Sequence, residues 1–301
     1  MSYVTILFMS NTIPMVFLDS GDPTETRKTI NLLGKVDGQT TNPSLVVKNP
    51  EVSKFLTDGK KFSESELLDI YKKIILEIRE EMDGPLSVEV NASWNSTWED
   101  LLRQAESMSA WTSNINIKFP TTNAGVKAAQ EFVARGGRVN MTLVFDQIQA
   151  AAVYVATKDT KEPAFISPFM GRWDDRGYAG VDLVRNIRKM YDAFNQARNV
   201  DSNHVKILAA SIRTMDHLYA SLALGADILT IPLTTIEQWL AEGKKIPGSD
   251  YVVDRKGLKA IEYQELELKE NISEYDIVRT EGTLLDEGLK KFAADWNSLL
   301  E

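Results

Sequence analysis

The chain has no cysteine and only two histidines, His204 and His217, among its 301 residues. The first absence removes disulfides, thiolate metal sites and cysteine nucleophiles together, and it suits a reducing compartment. The second leaves little material for a histidine metal centre or a Ser-His-Asp triad. No apolar run approaches the roughly 20 residues of a membrane-spanning helix. The start, Met1 to Met15, is apolar in patches but lacks the basic region and small-residue cleavage site of a signal peptide. A cytoplasmic location with no membrane partner is therefore expected. Positive charge is also in short supply. The net charge is −9, which argues against a nucleic-acid partner. Neither a GxGxxG nor a P-loop pattern occurs, so an open nucleotide-binding sheet would lack its usual first turn.

What is present is ordinary soluble composition, 43% hydrophobic and 26% charged. Short apolar runs alternate with helical sequence. The runs fall at Met15–Asp19, Gln39–Asn42, Leu86–Val90, Asn114–Phe119, Val139–Leu143, Ala164–Ser167, Val205–Ala210 and Asp227–Ile231. Buried parallel strands read this way. Helix starts are marked by Asp22 before Pro23, and by Ser63 with Glu66 three residues on as a capping box. Eight strand–helix units predict an α/β protein with a (β/α)8 TIM barrel fold, and the competitor is an open doubly wound sheet. One domain over 1–301 is expected, with the barrel at about 15–241 and a C-terminal helical extension at about 242–301 packed on it. The extension carries mixed charge with Tyr251, Tyr263 and Tyr275, then a helix from about Leu284 to Leu300.

Lys118 closes the apolar run Ile115-Asn116-Ile117-Lys118-Phe119-Pro120. Apolar surroundings disfavour an ammonium, and a neutral amine is the nucleophile that forms a Schiff base with a carbonyl. Taken alone it is equally a strand-end lysine whose head reaches solvent. Other polar residues sit at the same kind of position: Asp19, Thr41, Asn42, Glu89, Asn140, Thr142, Ser167 and Ser211, with Phe169, Arg172 and Arg213 in the loops that follow. Catalytic groups of a barrel gather where its strands end. An amine, acids to move protons, amides and hydroxyls to orient a polyol, and arginines for an anion together equip carbonyl chemistry.

In order and combination these segments resemble the transaldolase family, which includes the fructose-6-phosphate aldolases. The matching stretches are Phe17-Leu18-Asp19-Ser20-Gly21-Asp22, Thr40-Thr41-Asn42-Pro43-Ser44-Leu45 and Ile117-Lys118-Phe119-Pro120-Thr121-Thr122. Asn140-Met141-Thr142-Leu143-Val144-Phe145, Ile166-Ser167-Pro168-Phe169-Met170-Gly171-Arg172 and Leu208-Ala209-Ala210-Ser211-Ile212-Arg213-Thr214 follow, then Ala223 to Pro232 and the C-terminal Leu289 to Trp296. The resemblance implies a metal-free, cofactor-free enzyme of the class I aldolase type acting on sugar phosphates. It implies Lys118 as the Schiff-base lysine and Asp19 as the acid–base residue near C3–C4 of a ketose. It pairs Glu89 with Thr142 around a catalytic water. Asn42 and Ser167 would hold the hydroxyls of the dihydroxyacetone unit, and Arg172 with Arg213 would clamp the phosphate. A homo-oligomer is expected.

Two positions separate the branches of this family. Transaldolases carry Glu where the aldolases carry Gln, and Phe in Ser-Pro-Phe where the aldolases tend to have Tyr. Glu89 and Phe169 both favour transfer of the three-carbon unit over its release. The alternatives are release of free dihydroxyacetone, a substrate with another anion such as a sulfo-sugar, and a non-catalytic sugar-phosphate-binding barrel. The sequence departs from the family pattern at Ala124, where an acid is usual. It also departs at Trp173, whose bulk is expected to reshape the acceptor pocket, and in the longer stretch 243–280, which would cover the barrel or build a subunit contact.

Overall fold

A computed structural model describes residues 14–248, 251–277 and 282–301. Most of the apolar start read above for a signal peptide lies outside them. Eight strands close into one parallel barrel in sequence order. They are β1 (Met15–Asp19), β2 (Gly38–Thr40), β3 (Leu86–Glu89), β4 (Ile115–Pro120), β5 (Val139–Val144), β6 (Ala164–Pro168), β7 (Val205–Ala209) and β8 (Ile228–Ile231). Closure is direct, since Val16 pairs with Leu229 and Phe17 with Thr230. An open sheet is thereby excluded.

The helices that cover the barrel are α1 (Pro23–Leu33), α2 (Pro43–Lys48), α3 (Pro50–Thr57), α4 (Glu64–Glu81), α5 (Trp98–Ser109) and α6 (Asn123–Ala134). They continue with α7 (Gln147–Ala156), the short α8 (Met170–Asp174), α9 (Val181–Arg198), α10 (Met215–Ala223) and α11 (Leu233–Ala241). Their starts follow local chemistry. Asp22 caps α1 through Thr24 N, Asn42 caps α2 through Leu45 N, and Ser63 with Glu66 forms a capping box on α4. On α4 the residues Leu67, Tyr71, Ile74, Ile75 and Ile78 recur at helical spacing and are the face turned to the barrel.

The floor of the barrel is apolar. Phe17, Phe165, Leu208, Ala210 and Ile228 pack inside it, with the Phe17 and Phe165 rings edge to face at 5.9 Å. Gly38 is required here, because a Cβ on it would stand 2.4 Å from the Phe17 ring. This plug separates the lower barrel from the polar strand ends above it.

The stretch after α11 wraps the rim of its own barrel, running backwards past the starts of the helices. Lys256 Nζ stands 3.6 Å from Asp216 on α10, and Arg255 makes a two-pronged contact with Asp182 on α9. Ile261 O accepts from Asn186 on α9, Gln264 bonds twice with Gln147 on α7, and Ile277 O accepts from Asn123 on α6. The final helix α12 (Leu284–Asn297) then crosses the barrel mouth. Trp94 donates to Asp286 at its start, Phe292 meets Phe169 in its middle, and Asp295 accepts from Ser44 of α2 near its end.

Candidate active site

The polar strand ends converge above the Phe17 plug. Paired residues of parallel strands face the same side, so the pairings Asp19 with Thr40, Glu89 with Lys118 and Lys118 with Asn140 fix which side chains share the barrel interior. A cavity of about 220 Å³ opens over them, lined by Asp19, Asn42, Lys118, Ser167, Phe169, Arg172, Ser211 and Arg213. Eight of the residues named from the sequence therefore meet in one place. The other four, Thr41, Glu89, Asn140 and Thr142, are fully or almost fully buried and stand in the wall behind it.

Lys118 is 3% exposed, and its head does not snorkel. Its Nζ donates to Thr41 O at 3.0 Å and lies 2.9 Å from Glu89 Oε2. That second contact is an ion pair whose angle falls outside hydrogen-bond geometry, so Glu89 Oε2 counts among the buried atoms without a hydrogen-bond partner. Thr142 Oγ1 is another. Such atoms are uncommon because each costs its desolvation, and two of them lie on β3 and β5, the strands on either side of the Lys118 strand β4. Burial raises the Glu89 carboxyl above its usual range. The Lys118 charge opposes that rise, and the like charge of Asp19 adds to it.

Asp19 keeps part of its surface on the cavity. Its carboxyl is raised mainly by burial, with Lys118, the Thr40 hydrogen bond and Lys48 pulling the other way. Thr40 Oγ1 donates to Asp19 Oδ1 at 2.6 Å. Its single proton is then committed, so Thr230 donates to Thr40 across 2.5 Å. Asn140 is oriented from both ends. Its Nδ2 donates to Ser87 Oγ at 3.0 Å and its Oδ1 accepts from Ser167 Oγ at 2.7 Å.

Arg172 stands on the short α8 after β6, and Arg213 on the loop after β7. Arg213 pairs with Asp175 at 2.7 Å, not with Asp174 or Asp216. Those two acids hold His217 and Lys256 instead. The Asp175 carboxyl is held below its usual range, first by the Arg213 hydrogen bond and also by the charges of Arg213 and Arg172. Gly171 is the residue that lets Arg213 pass, since a Cβ there would lie 2.5 Å from Arg213 Nε. Ser211 takes a left-handed φ of 56°, and its carbonyl accepts from Gly171 N at 3.2 Å, tying that loop to α8.

Several cavity residues were not singled out from the sequence: Thr40, Ser44, Lys48, Thr230, Lys291 and Phe292. With Lys118, Arg172 and Arg213, the lysines bring five cationic side chains around one lining carboxylate, Asp19. Trp173 is a correction. It does not enter this cavity but donates to Phe145 O at 2.9 Å and packs on Tyr178. It lines a larger, mostly apolar neighbouring cavity of about 510 Å³ with Leu284 and Leu285. Among the described residues, no lysine and none of the named strand-end groups reaches that larger cavity, so size does not decide which one holds the chemistry.

What the site can do follows from its parts. An amine is held at the floor between a carbonyl and a carboxylate, a second acid stands at the cavity edge, and cations crowd the outer end. This suits a carbonyl substrate with an anionic tail. The comparisons agree with that class. Residues 16–301 match the family model described as Transaldolase/Fructose-6-phosphate aldolase. A "probable transaldolase" of Brucella ovis is 36% identical over 223 residues, covering 73% of this chain and 86% of the relative. One from Chelativorans sp. is 38% identical over 246 residues, 81% of this chain and 93% of the relative. A third, from Carboxydothermus hydrogenoformans, is 34% identical over 247 residues, 81% and 99%. On the strength of the match and of these relatives, the chain belongs to the transaldolase/fructose-6-phosphate aldolase family of enzymes.

Proposed function

We propose that the protein is a transaldolase that moves a dihydroxyacetone unit from a ketose phosphate, fructose 6-phosphate or sedoheptulose 7-phosphate, to an aldose phosphate. The observation that carries this reading is the Lys118 amine, buried between Thr41 O and Glu89 at the floor of a cavity whose outer end holds Arg172 and Arg213. Lys118 attacks C2 of the ketose. Glu89 and Thr142, through a shared water, pass the protons that turn the carbinolamine into a Schiff base and expel the C2 oxygen as water. Asp19 takes the proton of the C4 hydroxyl as the C3–C4 bond breaks, an aldose phosphate leaves, and a three-carbon enamine stays on Lys118. The enamine carbon then bonds the acceptor aldehyde, Asp19 returns its proton to the new alkoxide, and water releases the product. A carboxyl raised by burial suits a group that takes and returns one proton per cycle. Asn42 and Ser167 hold the hydroxyls of the retained unit, with Asn140 orienting Ser167 from behind.

Glu89 and Phe169 favour transfer over release, so the test compares product with and without acceptor. Fructose 6-phosphate with an aldose phosphate acceptor should give the exchanged ketose, and without acceptor only slow release of dihydroxyacetone. Rapid release without acceptor would make the enzyme an aldolase, and no reaction under either condition would leave a binding barrel. Glu89→Gln should lower transfer on the order of 100-fold. It should also raise the ratio of free dihydroxyacetone to exchanged ketose, measured in the same assay. An unchanged or lower ratio would remove Glu89 from the partition between the two fates.

The anion end has its own prediction. Arginine suits a phosphate because its planar fork makes parallel hydrogen bonds, and losing one charge-assisted contact costs about 2–4 kcal/mol. Arg172→Ala and Arg213→Ala should each lower kcat/KM for fructose 6-phosphate about 30- to 1,000-fold, with much smaller effects on fructose. Equal losses on the two donors would mean that the arginines only brace their loops, as the Arg213–Asp175 pair already does.

A further inference from the structure

Tyr71 stands outside the cavity on α4, is fully buried, and has no place in the mechanism above. At helical spacing among leucines and isoleucines it reads as one more core residue. Its hydroxyl says otherwise. The β2–β3 ladder is regular through Gln39 N to Pro85 O and Thr41 N to Ser87 O. The next rung of a parallel ladder would run from Glu89 N to Thr41 O. That rung is missing, and the pairing stops at Thr40 with Ser87. Glu89 N donates to the Tyr71 hydroxyl instead, at 3.0 Å. Thr41 O, released from the ladder, accepts from Lys118 Nζ at 3.0 Å.

The proton count fixes the rest. Thr41 Oγ1 gives its one proton to Ser87 O at 2.8 Å, so across the 2.8 Å to Tyr71 the phenol is the donor. Tyr71 therefore donates to Thr41, just past the end of β2, and accepts from Glu89 of β3 at the level where the sheet opens. Its ring is held edge-on by Trp111 and by Trp296 of α12, with centroids 5.7 and 5.8 Å away. Burial pushes the phenol well above its usual range, so it keeps its proton at any working pH.

We infer that Tyr71 is a positioning residue which ends the β2–β3 ladder one rung early, so that the Thr41 carbonyl is left to aim the Lys118 amine while the backbone of Glu89 is held beside it. This rests on the transaldolase reading for the identity of the reaction but not for the geometry. Without the hydroxyl, Glu89 N–H would turn to Thr41 O and compete with the amine for it.

The test is Tyr71→Phe, which keeps the ring and removes the oxygen. Wild-type protein must first form a borohydride-trapped adduct on Lys118 with fructose 6-phosphate; failure there would refute the reaction, not the role of Tyr71. Given that adduct, Tyr71→Phe should slow kcat and the rate of adduct formation about 10- to 100-fold, as misplacement of a reacting group does. KM for fructose 6-phosphate should stay within about threefold, because the arginine clamp is untouched. A kcat within twofold of wild type would overturn the inference, as would kcat and KM changing together. A crystal structure of the wild-type protein gives a second test that needs no variant: Glu89 N–H on Thr41 O there would overturn it, and Glu89 N–H on the Tyr71 oxygen would support it.

Discussion

Lys118→Arg is expected to abolish transfer while leaving the barrel folded. Arginine keeps a positive charge between the buried Glu89 and Asp19, so neither acid is left without a counter-charge. It cannot attack a carbonyl, because guanidinium is effectively never deprotonated. The longer side chain must fit a place where lysine is 3% exposed, and crowding of that kind costs about 1–3 kcal/mol. Loss of the nucleophile should be far larger, at least about 10⁴-fold in kcat/KM. Activity and thermal unfolding, measured together, separate the two effects. Residual activity above about a hundredth of wild type would take Lys118 out of the covalent step, given how much a true nucleophile contributes.

Asp19→Asn should also be severe, at about 10²- to 10⁴-fold in kcat, since a positioned acid–base group contributes that much. Asparagine can still accept from Thr40, but it cannot take the proton of a departing hydroxyl. The same substitution should raise stability at neutral pH. The Asp19 carboxyl is raised in the folded protein, chiefly by burial. A carboxyl raised on folding favours the fold while protonated. That contribution is complete below the unfolded value of about 3.9 and is lost as pH rises through the folded value. At pH 7, above the unfolded value, the raised Asp19 carboxyl therefore works against the fold, and Asn removes that cost. The variant should unfold at a higher temperature than wild type at pH 7, with the gap narrowing as pH is lowered. A variant less stable than wild type at pH 7 would mean that attraction to Lys118 outweighs the cost of burial.

The barrel was legible because its strands are buried on both faces, and each therefore appears as a short apolar run ended by a polar residue. Boundaries moved by only a residue or two: the second strand ends at Thr40 instead of Asn42 because Asn42 is spent as the cap of α2. The residues that line the cavity were legible for the same reason, as each interrupts apolar sequence where burial would otherwise be costly. Tyr71 was not. A phenol on an amphipathic helix is indistinguishable from core until the strand ends it bridges are placed beside it. Lys291 and Phe292 belong to a recognisable motif, yet nothing local says that α12 crosses the mouth. That depends on the rim-hugging path from Lys256 to Ile277, set by contacts with helices distant in sequence. Trp173 was misplaced because its neighbour Arg172 lines the cavity, while consecutive residues of the short α8 face different ways.

The covalent role of Lys118 is tested most directly by trapping. Wild-type protein mixed with fructose 6-phosphate and borohydride should lose activity as it gains one reduced three-carbon unit per chain. Peptide mass mapping should place that unit on Lys118. An adduct on any other lysine, or inactivation with no adduct, would contradict the mechanism.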